Sequence, residues 1–477
     1  MLVHYCNRLI QEGRMKRLVI VSNRVPVPKE GLRPGGLAVV LKDLLARKGG
    51  MWFGWNGTCH PDAAHLPPAL QKAEGVEYAT IGLTPAEHRN YYTGFSNSTL
   101  WPLMHSLPEH IHFERRELAS YWSVNERFCE NLLPLLRADD VIWIHDYHLL
   151  PLAALLRRHG VRQPIGFFLH TPFPAPDMLA TAPDGGTFLR DLLRADLLGF
   201  QTADDTANFI FAATRKAGAV AMGDDALTFE GHTVRVGTFP VEIDPTRFAA
   251  TARDAADLED LRRLSGSLAG RRLVFGVDRM DPTKGLDHRL AGYERFLETY
   301  PQRERQVTFL QIAAESRTDV ASYQALRNKL EHQIGQLNAH RGQADWTPLR
   351  FLTRGSPRPT VAGYMRLADI GYITPLRDGM NLVAKEFIAA QDPENPGVLI
   401  LSRLAGAAKQ LDAAILVNPL DHDDMADALE RAMVMSAAER RERWQSCWNS
   451  IASRTALGWG LSFLNILEGA KQACPPA

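Results

Sequence analysis

Long apolar runs are missing from this sequence. No stretch approaches the ~18 residues of a membrane span, and the opening Met1-Leu2-Val3-His4-Tyr5 lacks the apolar centre of an export signal. A charge of one sign is missing as well. Lys plus Arg and Asp plus Glu number 54 each, so neither nucleic acid nor a membrane is expected as partner, and local basic groups must hold any anion. The five cysteines, Cys6, Cys59, Cys129, Cys447 and Cys474, are odd in number and lack metal-ligand spacing, which suits reduced thiols in a cytoplasmic protein. Gly-x-Gly-x-x-Gly does not follow the first strand, where Gly35-Gly36 comes only after a long loop; no nicotinamide or flavin dinucleotide is expected. Gly-x-x-x-x-Gly-Lys-Ser/Thr is absent too. His145-Asp146-Tyr147-His148 offers two imidazoles without an obvious third ligand, and Asp421-x-Asp423 resembles a metal-holding acid pair but precedes a helix, where N-capping accounts for it. No metal and no cofactor is expected.

What is present is a repeating rhythm of strand and helix. A chain of 477 residues exceeds what one hydrophobic core usually serves, so two domains are expected. Apolar runs at Leu18 to Asn23, Val141 to Asp146, Ile165 to His170 and Leu197 to Thr202 read as buried strands separated by amphipathic helices. The extended stretch Val236 to Pro245 interrupts the rhythm, which restarts with runs at Leu273, Val307, Asp369, Val398 and Ile415. The expected organisation is an extension at 1–14, a first domain at 15–240, a second domain at 241–455 and a terminal helical segment at 456–477 that packs back on the first domain. Tryptophans and Phe463 along the helical tail Ala437 to Glu468 motivate that return. The fold class is α/β, two doubly wound Rossmann-like domains facing across a cleft, with ligands beyond the carboxyl ends of the strands.

Two loops carry the chemistry. Leu376 to Glu386 reads as a tight loop after a strand, with Gly379 at the turn and a helix beginning near Asn381. Its N-terminal N–H groups suit a diphosphate, and Glu386 suits a ribose diol. Arg279 and Lys284 lie just past another strand, where a guanidinium and an ammonium would neutralise charge on a phosphate leaving group. The plainer alternatives are that Asp378 caps the helix and that Arg279 and Lys284 pair at the surface with Asp278 and Asp281.

Taken in order, Ser22-Asn23-Arg24, Gly35-Gly36-Leu37, Trp52-Phe53-Gly54-Trp55, Phe95-Ser96-Asn97, Leu100-Trp101-Pro102, Ile144 to His148, His170-Thr171-Pro172-Phe173-Pro174 and Leu198 to Thr202 resemble the motifs of trehalose-6-phosphate synthases. Arg279 with Lys284, Ser316-Arg317 with Asp319, Asp345 to Pro348 and Arg377 to Glu386 continue the resemblance, which runs from about Leu18 to Ile466. It implies the GT-B fold, with 15–240 as the acceptor-side domain and 241–455 as the nucleotide-sugar-binding domain, and metal-independent, retaining transfer of glucose from UDP-glucose to glucose-6-phosphate by a homo-oligomer, dimer or tetramer. On the donor side it implies Gly36 and His170 at the transferred sugar, Arg279 and Lys284 at the diphosphate, Asp378, Gly379, Met380, Asn381, Leu382 and Val383 around sugar hydroxyls and phosphates, and Glu386 at the ribose. On the acceptor side it implies Arg24, Tyr92, Trp101 and Arg317 at the sugar phosphate, with Asp146 near the hydroxyls. Arg279, Lys284, His170 and Asp146 are the expected catalytic groups. Ser356 and Pro282-Thr283 depart from the family pattern, which leaves GDP- or ADP-glucose open as donor. The alternatives are a glucosylglycerol-phosphate synthase using glycerol-3-phosphate and a non-catalytic sugar-phosphate sensor.

Overall fold

The computed structural model describes residues 16–27, 37–317 and 319–469. The expected extension at 1–14 and Gly36 lie outside the described residues. The chain forms two compact units, one running up to Pro240 and resuming at Leu457, the other spanning Val241–Ala456. No helix among the described residues is long and apolar enough to cross a membrane.

Among the described residues the first unit is built on ten strands: β1 (Arg17–Arg24), β2 (Gly50–Cys59), β3 (Ala69–Ala73), β4 (Val76–Leu83), β5 (Asp140–His145), β6 (Ile165–Phe168), β7 (Leu197–Phe200), β8 (Val220–Ala221), β9 (Ala226–Phe229) and β10 (His232–Thr238). Their order is β3-β4-β2-β1-β5-β6-β7-β10-β9-β8. The seven central strands are parallel, and β3, β9 and β8 join antiparallel at the margins. Continuous apolar sequence explains the centre: Leu18 to Val21 are at most 1% exposed, as strands covered on both faces require. Strands β5 and β6 end earlier than their apolar runs suggest, so Asp146 and His170 lie in the turns that follow rather than in the strands.

The tail is helical, as two helices, Ala437–Ala452 and Ala456–Gly469. The second helix completes the first unit's core. A methyl group at Gly166 would lie 2.6 Å from the Phe463 ring and one at Gly199 2.7 Å from it, so two neighbouring strands omit side chains where that ring enters. Phe463 stacks on Trp143 at 4.6 Å, and the Trp459 indole N–H donates to the Phe239 carbonyl at 3.0 Å.

The second unit has β11 (Arg272–Arg279), β12 (Val307–Ala314), β13 (Leu349–Leu352), β14 (Ile370–Ile373), β15 (Val398–Ser402) and β16 (Ile415–Val417), all parallel, in the order β13-β12-β11-β14-β15-β16. Connections to opposite faces leave β1 and β5 adjacent in one sheet and β11 and β14 in the other. At each such reversal the loops after the two strands diverge and leave room for a ligand.

Candidate active site

In the first unit the reversal lies between the ends of β1 and β5. The Trp52 indole donates to Ser22 Oγ at 2.8 Å, and that hydroxyl donates to the Arg24 carbonyl at 3.0 Å, which fixes the backbone where β1 ends. The exposed Arg24 guanidinium lies against Gly57, whose φ of 82° and missing side chain leave it space; a methyl there would be 2.8 Å from Nη2. Arg24 also sits 5.7 Å from the Trp55 ring, and Trp55 touches Tyr92 at 5.3 Å between ring centroids. Tyr92 stacks on His148, while the half-buried Trp101 packs on Tyr147 at 5.6 Å.

An unusual helix delivers these rings. His88–Leu100 is a π-helix of 13 residues, and the Trp101 N–H extends its i to i−5 pattern by donating to the Ser96 carbonyl. Asn97 stabilises the widened turn by donating to the Tyr92 carbonyl at 2.8 Å and accepting from the Tyr147 hydroxyl at 2.8 Å. The Tyr91 hydroxyl donates to Asn23 at 2.8 Å, so the helix is tied directly to the end of β1. Such widened turns cluster at functional sites.

Beyond β5, Asp146 adopts a φ of 76°. Its N–H donates to the Phe168 carbonyl at 2.8 Å, and its carboxylate accepts from the His170 N–H at 3.2 Å. Asp146 and His170 are thus locked together. His145 Nδ1 and His170 Nε2 are 3.0 Å apart. Burial pushes the His170 pKa down to about 3 and, with its neighbour, holds His145 well below the usual range, so both rings are neutral near pH 7. His145 Nε2 is buried without a partner among the described residues. A buried bare lone pair is less costly than a buried unpaired N–H, which favours His145 Nδ1–H donating to His170 Nε2 and places the remaining proton of His170 on Nδ1.

In the second unit the reversal is ionic. The carboxylate of Asp278 accepts from Arg289 at 2.6 Å, and this wholly buried guanidinium also donates to Gln311 at 2.9 Å and Thr374 at 3.1 Å, tying the ends of β11 and β14 to the middle of β12. Arg279, the last residue of β11, is exposed. Lys284 pairs with Asp378 rather than with Asp278 or Asp281, and Asn381 donates to the same Asp378 oxygen at 3.1 Å. The plainer reading of the loop is therefore corrected. Asn381, at a φ of 74°, caps the helix Leu382–Ala390 by accepting from the Ala384 N–H at 3.0 Å. Asp378 is left to orient the lysine.

The loop is sealed from behind by Gly406 and Ala407, whose N–H groups donate to the Asp378 carbonyl at 3.0 Å and the Met380 carbonyl at 2.7 Å. The Met380 side chain belongs to the core, so only its backbone remains for a ligand. Leu382 and Val383 are half-buried and open the helix, where N–H groups lack intrahelical acceptors. One turn on, burial raises the Glu386 pKa against the opposing pull of Arg358, 3.1 Å away. Among the described residues one trio, His112, Glu114 and Glu117, brings possible metal-ligand atoms within 4.8 Å of one another, and it contains none of these groups.

The sequence matches glycosyltransferase family 20 over residues 14–469. The chain belongs to that family. A curated relative, the trehalose-6-phosphate synthase of Sinorhizobium fredii, is 42% identical over 463 residues, covering 96% of this chain and 100% of the relative. Among solved structures, a UDP-forming α,α-trehalose-phosphate synthase of Burkholderia xenovorans in complex with glucose-6-phosphate is 42% identical with a TM-score of 0.90, covering 95% of this chain and 100% of that one. The Escherichia coli counterpart bound with UDP-2-fluoro glucose is 41% identical with a TM-score of 0.90, covering 96% and 100%. The two doubly wound units are thus those of a GT-B glucosyltransferase.

Within this family 20 chain, Arg24, Tyr92, Trp101, Asp146 and His170 gather at the strand ends of the first unit. Arg279, Lys284, Arg317, the 378–383 loop and Glu386 gather at those of the second. Sequence reasoning missed Arg289, Tyr323 and the Tyr91-Asn23 and Tyr147-Asn97 pairs, which hold these groups in place. Gly276 is a clue to this cluster: a methyl there would collide with Gln311 Oε1 and lie 3.1 Å from Arg289 Nη1, so a small residue in a buried strand marks space for the polar pair.

Proposed function

We propose that this chain is a UDP-forming trehalose-6-phosphate synthase, transferring glucose from UDP-glucose to glucose-6-phosphate with the anomeric configuration retained. The observation that carries the reading is the pair of unlike half-sites in a chain that aligns along its length with relatives of that activity. Arg279, Lys284 and the N-terminus of Leu382–Ala390 meet the diphosphate, and Glu386 accepts from the ribose hydroxyls. His170 contacts the transferred glucose, joined by Gly36. Arg24, Tyr92, Trp101 and Arg317 hold the acceptor's phosphate and ring, and Asp146 its hydroxyls.

The anomeric C–O bond to the diphosphate breaks as the acceptor oxygen bonds to the same carbon. The acceptor's proton passes to the departing phosphate oxygen. Positive charge builds on the sugar meanwhile, and a neutral His170 adds no repulsion that an imidazolium would. Cationic side chains meet the leaving-group charge, so no metal is needed. The free thiols of Cys59, Cys129 and Cys447 suit the reducing cytoplasm, where we place the protein.

The test pairs UDP-, GDP- and ADP-glucose with glucose-6-phosphate and glycerol-3-phosphate in the presence and absence of EDTA, reading product mass and anomeric configuration. Trehalose 6-phosphate formed from UDP-glucose, undiminished by chelator, is the expected result. A glycerol product would favour the glucosylglycerol-phosphate activity, nucleotide binding without turnover would favour a sensor, and activity restored only by magnesium would contradict the metal-free reading.

A further inference from the structure

Asp281 is fully buried between two structures with separate tasks. One carboxylate oxygen accepts from the Thr283 N–H at 3.0 Å and from the Thr283 hydroxyl at 2.9 Å, shaping the single turn Pro282–Lys284. That turn also receives the 376–377 backbone, since Leu376 and Arg377 donate to the Thr283 carbonyl at 2.9 and 3.3 Å. The other oxygen accepts from the Tyr323 hydroxyl at 2.7 Å and lies 3.5 Å from Arg317 Nη1. Arg317 donates to the same tyrosine oxygen at 2.6 Å.

The direction of this chain of bonds is fixed by chemistry. An arginine can only donate and an ionised carboxylate can only accept, so the hydroxyl must accept from Arg317 and donate to Asp281. Burial alone would push the Asp281 pKa up, yet Arg317, Arg279, the Tyr323 hydroxyl and Lys284 hold it well below the usual carboxylate range. The carboxylate is ionised, and the relay has one orientation. Arg317 itself sits at a φ of 48°, an uncommon conformation for a residue with a side chain. Tyr323 is 4% exposed on the helix Ala321–Arg341.

We propose that Asp281 and Tyr323 are positioning residues that join the donor diphosphate turn to the acceptor-phosphate arginine, so that each substrate tightens binding of the other. The inference rests on the reading above, in which Arg279 and Lys284 take the diphosphate and Arg317 the acceptor phosphate. Ordering the turn around a diphosphate fixes Asp281, Asp281 fixes the tyrosine hydroxyl, and the hydroxyl fixes the guanidinium. Linkage then requires the reverse effect to be equal in size.

The experiment is a binding cycle on the full chain. UDP affinity is measured by calorimetry alone and with saturating glucose-6-phosphate, in the unmodified protein, Tyr323→Phe and Asp281→Asn, alongside the glucose-6-phosphate KM and kcat of each. The unmodified protein is expected to bind UDP several-fold tighter with the acceptor present. Tyr323→Phe, which keeps the buried ring, is expected to leave UDP affinity alone within about twofold, raise the acceptor KM about tenfold and bring the coupling factor close to one. Asp281→Asn is expected to weaken both ligands. Independent binding in the unmodified protein would overturn the proposal, as would a Tyr323→Phe variant with lowered Tm but unchanged KM and coupling. Arg317→Ala separates the two levels: an unchanged acceptor KM there would sink the underlying assignment, whereas a raised KM beside an unaffected Tyr323→Phe would sink only the relay.

Discussion

The two sheets end in opposite chemistries although both are doubly wound. At the β1 and β5 ends the groups are largely neutral and aromatic: Tyr91 and Tyr147 donate to asparagines, His145 and His170 are joined by one hydrogen bond between neutral rings, and Arg24 is the guanidinium beside Trp55. At the β11 and β14 ends Arg289, Arg317 and Lys284 are held against Asp278, Asp281 and Asp378. A ring with many hydroxyls is recognised by shape and by donors and acceptors that stay put, whereas a diphosphate is recognised by charge. The scaffold fixes where a ligand sits, and the residues at the strand ends decide what it is.

The sharpest way to break this contrast is to remove charge from the ionic end. Lys284→Ala is expected to lower kcat by about a hundred- to a thousandfold, the usual loss for one group facing charge that develops on the leaving oxygen. Steady-state kinetics at saturating donor checks it, and a kcat within tenfold would place the leaving-group charge elsewhere. Next in size are the acceptor-phosphate arginines. Arg24→Ala and Arg317→Ala should each cost roughly 1.5 to 3 kcal/mol, about ten- to a hundredfold in kcat/KM for glucose-6-phosphate, with UDP affinity little changed for Arg24→Ala. Glu386→Gln should weaken UDP-glucose by about tenfold and leave the acceptor KM alone, because a carboxylate already shared with Arg358 loses part of its effect on the ribose. Titration calorimetry reads that difference.

The smallest effect belongs to the neutral end. His145 and His170 have pKa values depressed in the folded state, so below about 6.5 the unfolded chain takes up protons that the folded one refuses. Stability therefore falls as pH drops through that value and goes on falling toward about 3, where folded His170 also takes its proton. Between pH 7 and 6 the loss should be about 0.7 kcal/mol for each histidine. Denaturant unfolding at the two pH values should show a smaller drop in His145→Asn than in the unmodified protein. An equal drop would mean that His145 is not held neutral.

Much of this was legible in the amino-acid order. Parallel strands covered on both faces appear as continuous apolar runs, which is why β1, β5, β11, β12, β14, β15 and β16 stood out, whereas β13, with one buried residue in four, did not. Asp378 to Glu386 read as loop and helix because Gly, Asn and an apolar period punctuate it. The π-helix His88–Leu100 had no such signal, since a widened turn leaves neither the 3.6-residue nor the two-residue period, and Tyr92 was reached through resemblance alone. Buried Arg289 contradicts the ordinary surface preference of arginine, and Gly276 hints at its cluster. Tyr323 was silent, because an aromatic on a helix face reads as core until the partner of its hydroxyl is known. Lys385 was quoted as motif, yet its ammonium is fully buried on Glu242 and the Val241 carbonyl at 2.7 Å each, and burial lowers its pKa to about 8 against the pull of Glu242.

Amide hydrogen exchange with each ligand added separately tests the division of labour most directly. UDP alone should slow exchange at 279–285 and 376–386 and leave 88–101 unchanged, while glucose-6-phosphate alone should slow 88–101. Protection of 88–101 by UDP alone, or none there with glucose-6-phosphate, would contradict the assignment of one chemistry to each sheet.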